Sequence, residues 1–233
     1  MLKLILLPGM DGTGKLFEPL AEQFGTTFEI EAVHYPTDQC LSYTELEPIV
    51  RSAFPALAPF VLVAESFSAP LAVLCAARGP SNLRGLVLCT GFVSSPVCGW
   101  RRLILFRLAP IVLSRTLPDF ATRWFLAGRD APLSLLAPIQ SAISSVRPKV
   151  LVHRLRTILT CDVRTELKKI GVPILCLQAK RDRLIRPSCL EEILRIKPQV
   201  IVEAIAGPHL LLQREPAQSV AAIQAFIERI SIH

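Results

Sequence analysis

The chain has 233 residues, of which 51% are hydrophobic and 19% charged, and its formal net charge is +7. This composition excludes a disordered chain, and the length suits one α/β domain, residues 1–233, whose core needs no disulfide or metal. No apolar run reaches the roughly 20 residues of a membrane span. Seven cysteines without a C-x-x-C pair indicate free thiols, so a cytoplasmic location is expected.

Six short apolar runs rich in β-branched residues predict strands, and segments of helical periodicity separate them. The runs are Leu2–Leu7, Phe28–His34, Phe60–Ala64, Leu83–Cys89, Val172–Gln178 and Val200–Ile205. Between the second and third runs, Ser42 and Glu45 form a capping box that predicts a helix start. This alternation predicts an α/β fold with a mostly parallel six-stranded sheet flanked by helices.

The alternation stops after the fourth predicted strand. From Gly91 to about Lys169 no run predicts a strand, and the prolines are expected to separate the chain into amphipathic segments. These prolines are Pro96, Pro110, Pro118, Pro132, Pro138 and Pro148. We interpret residues 93–165 as a helical cap inserted into the single domain.

The cap region is strongly basic. From Arg101 to Lys169 the sequence has 13 Lys and Arg against four Asp and Glu, a balance of +9. Such a surface could attract an anionic substrate or a lipid headgroup, giving a weak membrane-surface contact. Arginines on amphipathic helices are more often only a solvated face, and this interpretation stays open beside the other.

A glycine-rich loop, Leu6 to Gly14, follows the first predicted strand. It lacks the phosphate-binding pattern of a P-loop and the G-x-G-x-x-G of a dinucleotide fold. We therefore expect no nucleotide cofactor. No metal is expected either, because the cysteines form no C-x-x-C pair or histidine-flanked cluster, and we expect no nucleic-acid partner. In such a loop, glycines can aim a backbone N–H at an oxyanion, and the N–H groups of Met10 and Phe67 are the candidates.

Ser66 lies where the third predicted strand meets a helix, in the sequence Ala64-Glu65-Ser66-Phe67-Ser68. A nucleophile elbow has this context and needs small residues two positions before and after the nucleophile. Ala64 and Ser68 are small. A serine that only caps the helix would give the same pattern, so its partners decide between the two interpretations.

A serine nucleophile needs a base and an acid that orients the base. His209 follows the last predicted strand and Asp182 the one before it, so both fall at the carboxyl edge of the sheet with Ser66. This gives the order Ser, Asp, His. Asp182 could instead pair only with Arg181 or Arg183. The other histidines, interpreted as structural or solvated, are His34, His153 and His233.

Four segments together resemble the α/β-hydrolase superfamily, and most closely its small bacterial-type esterase and thioesterase-like members. They are Leu7–Gly14, Val63–Ser68, Ala179–Asp182 and Ala206–His209. The resemblance spans nearly the whole chain. It implies that Asp182 fills the acid turn, that residues 93–165 form the cap, and that the family's first hairpin is missing.

The chain departs from the family pattern at three points. Pro8 stands where many relatives have histidine, Pro208 lies between Gly207 and His209, and the elbow lacks both glycines. None of these changes removes a catalytic group.

The resulting hypothesis is a serine hydrolase that cleaves a small-molecule carboxylic ester or thioester through an acyl-enzyme. Cap and loop residues that could contact the substrate are Trp100, Phe106, Trp124, Phe125 and Leu184. Aromatic spacing of this kind also fits ordinary helix packing. An acyltransferase, a carbon–carbon hydrolase and a non-catalytic ligand-binding protein remain alternatives on the same fold.

Overall fold

A computed structural model describes residues 1–113 and 118–231 of the chain. The strands are β1 (Lys3–Leu7), β2 (Glu29–Ala32), β3 (Phe60–Glu65), β4 (Leu83–Cys89), β5 (Ile174–Ala179) and β6 (Ile201–Ile205). They form one sheet in the order β2-β1-β3-β4-β5-β6, and all five neighbouring pairs are parallel. The predicted six-stranded sheet is confirmed, and it is parallel throughout.

Helices pack on both faces of the sheet. They are α1 (Glu18–Phe24), α2 (Tyr43–Ser52), α3 (Ser68–Ala77), α8 (Arg164–Lys169), α9 (Pro187–Ile196), α10 (Leu211–Arg214) and α11 (Pro216–Ser231). Helix α2 starts as predicted, because the Ser42 side chain accepts the Glu45 N–H and the Glu45 carboxylate accepts the Ser42 N–H.

Strand β3 lies near the centre of the sheet, and all six of its residues are buried. Leu62 faces the core formed with α2, α3, α8 and α9, whereas Val63 faces the core formed with α1, α10 and α11. Helices thus cover both faces, which explains why the strand is a continuous apolar run rather than an alternating one. The centre of the sheet is therefore a rigid base for the residue that follows β3.

Between β4 and β5 the chain leaves the sheet. This excursion contains α4 (Gly99–Val112), α5 (Asp119–Ala121), a π-helix (Thr122–Ala127), α6 (Leu133–Ser144) and α7 (Pro148–Thr160). We call these helices the cap. The described residues between β4 and β5 form one isolated antiparallel bridge, between Ser94 and Asp162, and no strand of greater length.

Two of the predicted breaks in the cap are wrong. Pro110 lies inside α4 and Pro138 inside α6. Each proline removes one backbone donor, but both helices continue because their apolar residues pack on neighbours. Ala109 and Leu113 pack with Val150 of α7, for example. Among the described residues, no helix is long and apolar enough to cross a membrane.

Candidate active site

Ser66 sits in the turn between β3 and α3 with a backbone φ of +48°. This is the left-handed region, which a residue with a Cβ adopts only when its surroundings fix it. Here the Ser66 N–H donates to the Cys89 carbonyl at 2.9 Å, and the Ser66 carbonyl accepts from the Ala69 N–H at 2.9 Å. The side chain is thereby held above the carboxyl edge of the sheet, as a nucleophile elbow requires.

His209, in the loop after β6, bridges Ser66 and Asp182. Its Nε2 lies 2.9 Å from Ser66 Oγ, and its Nδ1 lies 2.8 Å from Asp182 Oδ2. A carboxylate only accepts hydrogen bonds, so Nδ1 carries the proton and Nε2 accepts the serine O–H. The histidine and aspartate side chains are 5% and 6% exposed. The arrangement can therefore take a proton from Ser66 away from bulk water.

The side chain of Asp182, in the loop after β5, is fixed by backbone N–H groups of the residues that follow it. Its Oδ1 accepts the N–H groups of Leu184 at 2.8 Å and Ile185 at 3.0 Å, which leaves Oδ2 for the histidine. The alternative ion pairs do not form. Arg181 donates to the Ala206 carbonyl, and the Arg183 guanidinium lies 3.8 Å from the centre of the Trp124 ring.

The other histidines lie elsewhere. His34 is exposed and its Nδ1 hydrogen-bonds the Thr13 carbonyl. His153 is on the cap helix α7, with its buried Nε2 atom unpartnered. His233 lies outside the described residues. Of the histidines that the structure describes, His209 alone contacts Ser66.

The loop after β1 faces the elbow. Its Gly9 and Met10 border the same cavity as Ser66 and His209. Within residues 1–113 and 118–231, the backbone N–H groups of Met10 and Phe67 have no hydrogen-bond partner. Two unpaired donors beside a nucleophile are what an oxyanion hole needs, so Met10 of the loop and Phe67 of the elbow can together stabilise negative charge on a carbonyl oxygen.

Arg154 of α7 holds this loop, and sequence reasoning missed it. The side chain is 2% exposed and donates to the carbonyls of Met10 (2.9 Å), Asp11 (2.7 Å) and Pro36 (2.9 Å). Burial lowers the pKa of the guanidinium, with Asp11 opposing the shift. The signal in the sequence is that Arg154 follows the buried Leu151 by three residues, on the apolar face of its helix.

Gly12 has to be glycine beside this arginine. Its φ is +69°, and a Cβ at this position would lie 2.5 Å from Arg154 Nη1. The glycine therefore lets the guanidinium approach the loop backbone.

Ser68 explains one departure from the elbow glycines. It is fully buried; its hydroxyl donates to the Pro8 carbonyl and lies 2.7 Å from the Tyr35 hydroxyl. The Tyr43 hydroxyl donates to the Phe67 carbonyl at 2.8 Å. The serine thus joins the start of α3 to the loop after β1, a contact that a glycine could not make.

Glu65 is a second group that sequence reasoning left without a role. It is 2% exposed, its Oε2 accepts from Gln213 Nε2 at 3.2 Å, and its Oε1 has no partner. Burial raises the pKa of this carboxyl to about 7, while the neighbouring His209 lowers it. An acid beside the nucleophile is therefore largely protonated below neutral pH.

A cavity of about 300 Å³ extends from Ser66 into the cap. Its ionisable lining residues are Asp11, Glu65 and His209 beside Ser66, and the cap contributes aliphatic side chains to the rest of the wall. Cap residues in the wall include Leu105, Leu113, Ile139, Ile143, Leu151 and Leu155. Within the described chain, no lysine or arginine lines this cavity, and no three His, Cys, Asp or Glu are grouped to hold a metal ion.

The candidate substrate contacts divide into two groups. Phe125 and Leu184 line the cavity, whereas Trp100, Phe106 and Trp124 do not. Trp100 is exposed on the outer side of α4, and the guanidinium groups of Arg156 and Arg183 lie over Phe106 and Trp124. Helical spacing alone could not distinguish the inner from the outer side of the cap.

By sequence, the chain is similar to a plant protein. No protein-family model matches the chain. The chain is 27% identical over 232 residues to phytyl ester synthase 1, chloroplastic, of Arabidopsis thaliana. The match covers 92% of this chain and 31% of that protein. The chain thus spans about a third of the length of this curated relative.

Several solved structures resemble this chain over nearly its whole length. They include a hydrolase from Oleispira antarctica (TM-score 0.80, 13% identity, covering 97% of this chain and 90% of that one). Another is MGS-M2, an α/β hydrolase from a deep-sea metagenome (TM-score 0.79, 15% identity, 97% and 89%). A lipase-esterase related protein from Clostridium acetobutylicum has a TM-score of 0.77 at 16% identity, with 97% and 94% covered. The chain has the α/β-hydrolase fold.

Proposed function

We propose that the chain is a serine hydrolase that cleaves a carboxylic ester or thioester with an apolar acyl group. The observation that carries the proposal is the chain of two hydrogen bonds from Ser66 through His209 to Asp182 at one end of an apolar cavity. A serine that only capped α3 would need neither partner. The backbone strain at Ser66 supports the same role, since such strain is common at functional sites.

The proposed reaction starts with attack of Ser66 Oγ on the substrate carbonyl while His209 Nε2 accepts the hydroxyl proton. The carbonyl oxygen becomes an oxyanion and accepts hydrogen bonds from the N–H groups of Met10 and Phe67. Collapse breaks the bond to the alcohol or thiol, which leaves with the proton from His209. Water then attacks the acyl-enzyme by the same route and releases the acid. Asp182 stays ionised and keeps the imidazole oriented.

The cavity indicates which substrates fit. A cavity of about 150 Å³ holds the six carbons of benzene, so a 300 Å³ cavity has room for roughly twelve carbons. Among the described residues, no lysine or arginine lines the wall to bind an anionic substrate, and a polar diketone would meet few polar partners. An acyl chain of medium length is the substrate that this wall favours.

Acyl transfer to an alcohol is a second candidate function. The observation that favours it is the match over 92% of the chain to a protein named as a phytyl ester synthase, at 27% identity. In this reaction a long-chain alcohol replaces water and attacks the acyl-enzyme. An apolar cavity admits such an alcohol readily and disfavours water.

Initial rates on p-nitrophenyl esters of increasing acyl length test the proposal. We expect kcat/KM to rise to a maximum at roughly twelve carbons, the number that fills the cavity, and to fall beyond it. Added long-chain alcohol gives a new ester if transfer competes with hydrolysis. Absence of turnover with every ester and thioester would leave a non-catalytic ligand-binding protein as the better description.

A further inference from the structure

The outer side of the cap helix α4 is apolar. Trp100, Leu103, Ile104 and Leu108 follow one another at helical spacing, and their exposed fractions lie between 42% and 70%. The opposite side of the helix is also apolar, because Ala109 and Leu113 are buried against α7. A surface helix in water normally presents a polar outer face. We call these four exposed residues the α4 stripe.

A second exposed apolar group borders the cavity. Phe120, Trp124 and Phe125 are exposed and line a shallow hollow on the cap surface. Phe125 also lines the main cavity, as does the partly exposed Leu184. The apolar surface of this hollow therefore continues into the cavity that holds Ser66.

Arginines surround both apolar groups. Arg101, Arg102 and Arg107 of α4 are exposed, and this helix contains no acidic residue. Around the hollow, the guanidinium groups of Arg129 and Arg183 lie 4.6 and 3.8 Å from the centre of the Trp124 ring. Tryptophan with neighbouring arginines is typical of the headgroup level of a bilayer, where the ring is half-buried and the cation meets phosphate.

Acidic residues offset little of this charge. The acids of the described cap helices and their connections are Asp119, which accepts a hydrogen bond from Gln140, and Asp130, which pairs with Arg214. Arg214, outside the cap helices, neutralises Asp130, which leaves Asp119 as the acid that offsets the arginines of these described residues.

We propose that the outer surface of the cap docks on an anionic lipid bilayer. The α4 stripe and Phe120 enter the boundary between headgroups and acyl chains, and the surrounding arginines bind lipid phosphates. A second copy of the chain is a poorer occupant. A two-fold interface through this surface would bring two arginine-rich patches together without complementary acids.

Because Phe125 lines both the hollow and the cavity, docking of the hollow brings the cavity wall near Phe125 to the bilayer. An acyl substrate could then pass from the lipid to Ser66 without crossing water. This consequence rests on the proposed hydrolase function. The docking itself depends only on the surface and can be measured on a chain that lacks Ser66.

The experiment is flotation of the Ser66→Ala protein with vesicles of two parts phosphatidylcholine to one part phosphatidylglycerol, or of phosphatidylcholine alone. We expect binding to the anionic vesicles and little to the neutral ones. Replacing Arg101 and Arg102 with glutamine should weaken binding by about fivefold per arginine. The pair Leu103→Ser and Ile104→Ser, at exposed positions that do not disturb the core, should weaken it by at least about tenfold.

Positions for matched controls lie near the amino ends of the strands, opposite the carboxyl ends that face Ser66. Leu57, in the loop before β3, and Arg84, near the start of β4, are both exposed. Leu57→Ser and Arg84→Gln should bind like the parent protein. In the active chain, Leu103→Ser with Ile104→Ser should leave turnover of a short soluble ester unchanged while lowering turnover of a long-chain ester presented in the anionic vesicles.

Equal binding to both vesicle types, or binding to neither, would overturn the proposal. So would a dimer in analytical ultracentrifugation that the Leu103→Ser and Ile104→Ser pair converts to monomer, because the stripe would then be a protein interface. Vesicle binding with no esterase activity in the wild-type chain would instead contradict the proposed function and leave the docking surface standing.

Discussion

Arg154 Nη1 donates a 2.9 Å hydrogen bond to the carbonyl of Met10, joining a cap helix to the loop that faces Ser66. The same nitrogen reaches the Asp11 carbonyl at 2.7 Å. In the part of the chain that the structure describes, no acid forms an ion pair with this buried arginine. Backbone carbonyls take the place of a carboxylate, so the position of the loop depends on the position of α7.

Arg154→Met should destabilise the chain and slow catalysis. The change leaves three carbonyls without their charged donor, and we expect a loss of about 3–5 kcal/mol in the free energy of unfolding. Since the Met10 N–H then loses its fixed position, kcat should fall more than about tenfold with a smaller change in KM. Urea denaturation and steady-state kinetics measure the two effects.

The control for this change is Arg147→Met, at the exposed start of α7, which should stay within about 0.5 kcal/mol of wild type. Arg154→Lys keeps the charge but not the forked geometry and should be intermediate. A wild-type kcat in folded Arg154→Met would show that the arginine does not position the loop.

Ser68→Ala should cost about 1–3 kcal/mol of stability, because the Pro8 carbonyl and the Tyr35 hydroxyl lose a buried partner. Ser68→Gly, which restores the residue common in nucleophile elbows, should be less stable still, since glycine adds backbone entropy to the unfolded chain. Ser52→Ala, at an exposed position, serves as the control. If Ser68→Gly unfolds at the same or a higher urea concentration than wild type, the hydrogen bonds of Ser68 to Pro8 and Tyr35 do not stabilise the fold.

The strands were predictable from sequence to within two residues at each end. Buried parallel strands such as β3 are continuous apolar runs, and this local signal survives folding. The meeting of Ser66, Asp182 and His209 could also be anticipated. The carboxyl ends of parallel strands share one edge, so residues just after β3, β5 and β6 come together there.

The cap could not be resolved in the same way. Helix α4 is apolar on two sides, so its periodicity does not reveal that Leu105 faces the cavity while Trp100 faces outward. The role of Arg154 depends on a contact across more than 140 residues, between α7 and the loop after β1. Such contacts depend on how distant helices and loops pack together, which the local sequence pattern does not encode.

Glu65→Gln should raise stability at alkaline pH. The folded chain raises the pKa of this carboxyl from 4.5 to about 7, so it holds the proton more tightly than the unfolded chain. Stability therefore falls as pH rises from about 4.5 to about 7 and stays lowered above that range. Glutamine removes this loss, so the free energy of unfolding should rise by an amount on the order of 3 kcal/mol at pH above about 8.

The measurement is urea denaturation of wild type and Glu65→Gln across the pH range. The free energies of unfolding of the two proteins should be equal under acidic conditions, where Glu65 is protonated in the folded wild type. They should separate as pH rises. A difference in stability that does not depend on pH would contradict the raised pKa.

Asp182→Asn should lower kcat by about 10⁴ with little effect on KM or folding. The asparagine Oδ1 can still accept the Leu184 and Ile185 N–H groups, but its amide donates where the carboxylate accepted. The imidazole then takes the other tautomer, and Nε2 no longer accepts the Ser66 proton. Asp130→Asn, at an exposed cap residue, should keep full activity; more than a tenth of wild-type kcat in Asp182→Asn would contradict the role of Asp182.

Labelling with a fluorophosphonate probe, followed by mass spectrometry of the labelled peptide, tests the assignment of Ser66 most directly. Wild type and Ser52→Ala should be labelled at Ser66, His209→Ala should react far more slowly because its serine lacks a base, and Ser66→Ala should not be labelled. Labelling of Ser66→Ala at the wild-type rate would show that the nucleophile is another residue.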